Sequence, residues 1–235
     1  MKNKILLTCL MLLLICCTKS QTSNPKYICK NCGNFDLKKM TFNENISDLI
    51  AKTDIWKTAI VNIDNEEKEI EDISKFDSVK LYKYHFSNQS NKNLGEKPFN
   101  YDKQFYFDGL TILADASNNI YAYSATNFYD GSFSDIINFI AYLKNDNKDS
   151  SFAQNQVFGD LSVYQWKSDN KIVQLVCANE EGSLERTING KTSNVKSTYV
   201  KLNVFNKQFI KKSVNDLVKD DIDFSVFNRK NFINK

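Results

Sequence analysis

Six cysteines and a single histidine hold most of the reactive side-chain chemistry in this 235-residue chain. Cys29-Lys30-Asn31-Cys32 is the sharpest local arrangement, because two thiols at this spacing can close a disulfide, supply half of a zinc site or act as a redox pair. A closed zinc site needs four ligands, and the remaining candidates beyond the N-terminal segment are His85 and Cys177, which would have to converge from distant strands. Cys177 stands among Leu175, Val176 and Ala178, the setting of a small apolar core residue. In the run from Tyr82 to Phe86, strand alternation places Tyr82, Tyr84 and Phe86 on one face and Lys83 and His85 on the other. The aromatic face is the expected core face, so His85 is expected to point to solvent. As the lone histidine it is the ordinary general base near neutral pH, yet no Gly-x-Ser-x-Gly elbow stands in the chain to supply it with a nucleophile.

Carboxylates and aromatics are the next candidates. Asp64, Glu66, Glu67, Glu69, Glu71 and Asp72 form one acidic cluster, and Asp220, Asp221 and Asp223 another. Neither has calcium-loop spacing around a central glycine, so both read as solvated surface. Tyr121, Tyr123, Tyr164 and Trp166 on period-two strands are a possible ligand platform if exposed, and ordinary core if buried.

The N-terminus carries a different kind of chemistry. Met1 to Lys4 is a short basic head, followed by an apolar run from Ile5 to Ile15 broken only by Thr8 and Cys9. That is the shape of a secretory signal, and the run is well short of the about 20 apolar residues that span a bilayer. The polar stretch Thr18 to Pro25 behind it reads as a tether. Leu14-Ile15-Cys16-Cys17 resembles the bacterial lipobox, in which an apolar pair and a small residue precede the cysteine that is lipidated. Cys17 fits as the acceptor, since choosing Cys16 would put bulky Ile15 at the cleavage position. The resemblance implies a diacylglyceryl thioether and an N-acyl chain such as palmitate, enough lipid for stable anchoring. Thr18, where the family's inner-membrane sorting signal has Asp, points to the outer membrane. Outside the cytoplasm thiols oxidise, so export favours a Cys29 to Cys32 disulfide over zinc or redox use, with Cys177 left as a buried thiol.

These chemical groups must be positioned by a folded domain, and composition supports one. With 42% hydrophobic residues, seventeen Phe, eleven Tyr and only two Pro, the chain has material for an aromatic core. Its positive charge is almost all lysine and nearly balanced by acids, which excludes the clustered arginine surface of nucleic-acid binders. The expected organisation is a signal over 1–16, a lipidated tether over 17–34, and a globular domain over 35–235 that can comprise two similar sub-units near 35–100 and 101–235.

Periodicity predicts strands at 35–42, 55–63, 79–86, 110–114, 120–125, 161–166, 171–178 and 198–205. Capping signals predict a short helix after Asn45, a helical turn over 66–76, a main helix after Ser132 with Phe133, Ile136, Ile137, Ile140 and Leu143 on its buried stripe, and a closing turn at 214–218. Phe42 to Ile50 echoes Tyr129 to Ile137, which one shared capping pattern explains without duplication. The implied class is α+β, a mostly antiparallel sheet built from hairpins with one main amphipathic helix packed on it.

The resulting expectation is a membrane-anchored envelope lipoprotein acting as a non-catalytic binding module, with no cofactor and no nucleic acid. Its partner would be another envelope protein, a toxin or a glycan. The alternative is a small envelope hydrolase using acidic residues. Replacing Cys17 with Ser is expected to abolish labelling by radioactive palmitate and to move the chain from the detergent phase to the aqueous phase. An intact mass showing an unlipidated wild-type chain would refute lipidation.

Overall fold

The computed structural model describes residues 27–29, 34–51, 56–63, 66–70, 81–87, 94, 97–130, 132–157, 161–188 and 191–206. Twelve strands run β1 (Phe35–Asp36), β2 (Trp56–Ile63), β3 (Glu66–Ile70), β4 (Leu81–Ser87), β5 (Phe99–Tyr101), β6 (Phe105–Phe107), β7 (Gly109–Asp115), β8 (Ile120–Tyr129), β9 (Ser151–Val157), β10 (Leu161–Lys167), β11 (Lys171–Ile188) and β12 (Lys191–Asn206). Nine of them form one antiparallel sheet in the order β3-β2-β4-β7-β8-β12-β11-β10-β9, and β1-β5-β6 form a small second sheet. Two α-helices, α1 (Ile46–Ile50) and α2 (Phe133–Asp146), and a 3-10 turn at Leu37–Lys39 complete the described elements. The fold is thus mostly β, with an antiparallel sheet made largely of hairpins and one main helix. No helix among the described residues is long and apolar enough to cross a membrane.

Turn chemistry explains the hairpins. Between β7 and β8 the Asp115 carboxylate accepts from the backbone N–H groups of Ser117 and Asn119, both at 2.9 Å, while Asn118 takes the left-handed conformation that asparagine tolerates (φ 66°). Between β10 and β11 the Ser168 hydroxyl accepts from the Lys171 N–H and donates to Asn170 Oδ1. Between β5 and β6 both Asp102 and Lys103 have positive φ, the geometry of a type I′ turn.

Several expectations are corrected. Residues 66–70 are strand β3, not a helical turn: they pair with β2 and form an edge of the main sheet, and the rest of the expected turn, 71–76, lies outside the described residues. The strand expected over 35–42 ends after Asp36, because the Asp36 carboxylate accepts from the Lys38 N–H and caps the 3-10 turn. Ile28 is 2% exposed, lies in the main core and donates its N–H to the Leu49 carbonyl at 3.1 Å, so the packed domain begins before the expected boundary at 34. The two sub-units are not separate either, since β4 pairs with β7 across the proposed division and one core draws on both halves. The turn expected at 214–218 lies outside the described residues.

Helix α2 starts as expected at Ser132, whose hydroxyl accepts from the Ser134 N–H, with Asp135 in the positive first turn. Its buried residues are Ile136, Phe139 and Leu143, whereas Phe133 and Ile137 are about half exposed. At about 100° per residue, Phe139 and Ile137 lie on opposite sides of Ile136, so burial of Phe139 turns Ile137 outward. Phe139 is drawn in by the small sheet: its ring stacks on Phe105 at 4.9 Å and meets Tyr101 and Phe107 edge-on.

Both faces of the main sheet carry buried residues, so His85, on the face expected but not fully in solvent, is only partly exposed. One face holds the apolar core, including Tyr84, Phe86, Ile112, Tyr123, Leu175, Val200 and Leu202. The other carries a polar row in which His85, Thr111, Ser124, Asn203, Gln174 and Gln165 sit side by side on six adjacent strands. Ser124, Asn203, Gln174 and Gln165 are buried in it, as is Lys83 nearby. Gln174 donates to Gln165 at 2.7 Å, and half-buried His85 is held between the Thr58 and Thr111 hydroxyls at 3.1 and 3.3 Å.

Phe139→Ala is expected to destabilise the chain by about 3 to 5 kcal/mol, the cost of an aromatic cavity, while Ile137→Ser stays within about 0.5 kcal/mol of wild type. Urea unfolding of both variants checks this, and equal losses would contradict the helix orientation.

Candidate functional site

The expected site residues are dispersed by the fold. Cys17 and Cys32 lie outside the described residues. Cys29 is half-buried and disulfide-bonded. Cys177 is a buried free thiol on the core face of β11, and burial pushes it up to about 12. His85 projects to the opposite face of the sheet, so it cannot share a tetrahedral zinc site with Cys177. The aromatic platform is corrected as well. Tyr121, Tyr123 and Trp166 are buried at 4%, 2% and 1% exposure, and only Tyr164, stacked on Trp166, is half-exposed. Period-two alternation cannot show which strand face the core covers, and here it covers the ring-bearing one.

One acid pair is brought together, but by a lysine. The Lys38 ammonium contacts Asp102 and Asp146, each at 2.8 Å, and the Tyr142 hydroxyl at 2.6 Å. Tyr142 in turn donates to Asp102. Asp36 positions this group by accepting from the backbone N–H of Asp102 at 2.9 Å. Burial pulls the Lys38 ammonium down, but Asp102, Asp146 and Tyr142 outweigh it and hold it well above its ordinary value. Lys38 and Tyr142 hold the Asp102 carboxyl below the usual range against partial burial. A glycosidase-type general acid needs a carboxyl raised toward neutrality, and this environment does the reverse.

A cleft of about 470 Å³ opens instead where three central strands end, at the start of β8, the start of β11 and the end of β12. The loop between the 3-10 turn and α1 closes its side. Met40, Phe42 and Ile120 give it apolar surface. Asn43, Asn119, Asn170 and Asn206 supply four side-chain amides, with Thr41 and Lys171 beside them.

Each wall has a local cause. Thr41 donates from its N–H and its hydroxyl to Glu44 Oε1 at 2.7 and 3.1 Å, and Asn45 caps α1 by accepting from the Ser47 N–H. Between these anchors Phe42 is forced to φ 67°, a conformation that costs a bulky L-residue about 1 to 2 kcal/mol. Stacking on Tyr123 at 5.8 Å holds the ring there. Tyr123 is buried and donates its hydroxyl to the Leu37 carbonyl at 3.0 Å. Burial, with Tyr101, Asp36 and Glu44 nearby, raises this phenol far above its ordinary value, so it stays a hydrogen-bond donor.

The amides are oriented too. Asn119 donates from Nδ2 to Asp115 Oδ2 at 2.9 Å, and Asn206 donates from Nδ2 to the Ile120 carbonyl at 2.5 Å. Asn170 Oδ1 accepts from Ser168, which leaves its NH₂ as the donor side. Burial pushes the Lys171 ammonium down, Asp146 opposes this and Lys38 adds to it. Among the described residues the lining therefore offers mixed donors and acceptors and no carboxylate, thiol or imidazole. Asn119 and Asn170 were legible in the sequence only as turn residues; their convergence with Asn43 and Asn206 depends on strand register.

No protein-family model, curated protein or solved structure matches the chain.

At pH 8.5 native Cys177 is expected to react with iodoacetamide about a thousandfold more slowly than in urea, because a thiol at about 12 is almost wholly protonated there. Mass spectrometry of the Cys177 peptide measures both rates. Comparable rates would show that the thiol is neither buried nor suppressed.

Proposed function

We propose that this chain is an exported lipoprotein, anchored through Cys17 to the bacterial envelope and more specifically to the outer membrane, whose globular domain binds a partner without transforming it. The signal-like N-terminus and its lipobox resemblance support the anchor. The observation that carries the binding role is the cleft at the ends of β8, β11 and β12. Its lining combines an aromatic ring with oriented amides and, among the described residues, holds no carboxylate, thiol or imidazole. Oriented amides present donors and acceptors that recognise polar ligands. The Lys38 clamp on Asp102 and Asp146 weighs against the hydrolase alternative.

The test is photocrosslinking in living cells. With p-benzoylphenylalanine replacing Asn43, ultraviolet light is expected to yield a covalent adduct of the cleft with a protein or glycan. The same probe replacing exposed Asp149 is expected to yield none. Absence of any adduct at Asn43 would overturn the cleft as the binding site.

A further inference from the structure

We infer that the ligand of this cleft is a saccharide, held with one sugar ring against Phe42 and its hydroxyl groups on the asparagine amides. The inference rests on the reading of the cleft as a binding site and adds the chemical class of what it takes.

Four observations lead there. Phe42 lines the cleft, and Tyr123, which does not, is buried and stacked against its ring. An aromatic ring backed in this way is a fixed wall, and its electron-rich face attracts the slightly positive C–H groups on the flat side of a sugar. The asparagine side chain places a donor NH₂ and an acceptor oxygen next to each other in one plane, which matches two neighbouring hydroxyls, each both donor and acceptor. Asn43, Asn119 and Asn170 bring that pattern from three separate loops, and Lys171 adds further donors. Prior bonds orient them without exhausting them: Asn119 uses one of its two N–H donors on Asp115 and Asn170 one of its two oxygen lone pairs on Ser168, so each keeps a donor and an acceptor for a ligand.

The same observations disfavour other ligand classes. An extended peptide is best held by an unpaired sheet edge, and β8, β12 and β11 are interior strands already bonded on both sides. A nucleotide phosphate wants a glycine-rich loop or several cations, and the lining has one lysine and no glycine among the described residues. A lipid tail wants an apolar channel, and six of the nine lining residues are polar. The strained φ of Phe42 fits a position where the ring is needed at one particular place.

Saturation-transfer NMR on the full chain in zwitterionic detergent tests this, with maltotriose, N,N′,N″-triacetylchitotriose and trigalacturonic acid as probes. At least one trisaccharide is expected to receive saturation, and Phe42→Gly, which removes the ring while suiting the positive φ, is expected to weaken that binding at least tenfold. Phe42→Trp is expected to keep it, and Asn170→Ala to reduce it severalfold. Circular dichroism and thermal unfolding establish that each variant is folded. Silence with all three probes, or binding that ignores both Phe42→Gly and Asn170→Ala, overturns the saccharide assignment. If the probes are silent while the crosslinker at Asn43 captures a protein, the saccharide class fails and the cleft as a binding site stands; if neither gives a signal, both fail.

Discussion

The hydrogen bond from the buried Tyr123 hydroxyl to the Leu37 carbonyl ties the central strand β8 to the N-terminal 3-10 turn. With donor and acceptor both buried, loss of either partner would leave the other unsatisfied at about 1 to 3 kcal/mol. The bond fixes where the chain leaves the turn, and so the path of Met40 to Glu44. Phe42 can hold its unfavourable backbone angle because the ring lands on Tyr123 and Thr41 is tied to Glu44. The cleft wall, the small β1-β5-β6 sheet and the Lys38 clamp all stand on this segment.

Around that bond the main sheet solves two packing problems. On its apolar face it buries aliphatic side chains and the rings of Tyr84, Phe86, Tyr123 and Trp166, closed by Phe139 of α2 and by the small sheet. On the other face it buries a polar row. Some of that row is self-satisfied, as Gln174 with Gln165 and His85 with two threonines. The Asn203 amide and the Ser124 hydroxyl, both buried, have no hydrogen-bond partner among the described residues. A polar row on one face and an aromatic core on the other specify register, since a slip of one residue would drive polar groups into that core.

The charged groups are arranged for position more than for reaction. Lys38 bridges Asp102 and Asp146 at the junction of the 3-10 turn, the β5-β6 hairpin and the end of α2, tying three elements together. At 32% side-chain exposure for Lys38 and 42% for Asp102, solvent screens the pair, so its value lies in geometry and not in a large net energy. Cys177 is silenced by burial. The cleft presents hydrogen-bonding groups, one ring face and the Lys171 amine.

Much of the strand framework was readable from residue order, because its signals are local. Alternation marked β4, β7, β8, β10, β11 and β12, and the cap residues Asn45 and Ser132 marked both helix starts. Partnership was not readable. Glu66 to Ile70 opens a run in which Ile70, Ile73 and Phe76 have helix-like spacing, yet these five residues form a strand because β2 offers them a ladder. His85 was set facing water by a rule that knows only one buried face, and the sheet has two. Tyr121, Tyr123 and Trp166 have the same residue types in a core as on a binding platform, so only packing separates the two. The cleft asparagines lie between about 36 and 163 residues apart; the antiparallel pairing of β8, β12 and β11 brings Asn119, Asn170 and Asn206 together, and the loop before α1 adds Asn43. Local propensity is written in neighbouring residues, whereas burial and convergence depend on which distant strands pair, and that the tertiary structure alone decided.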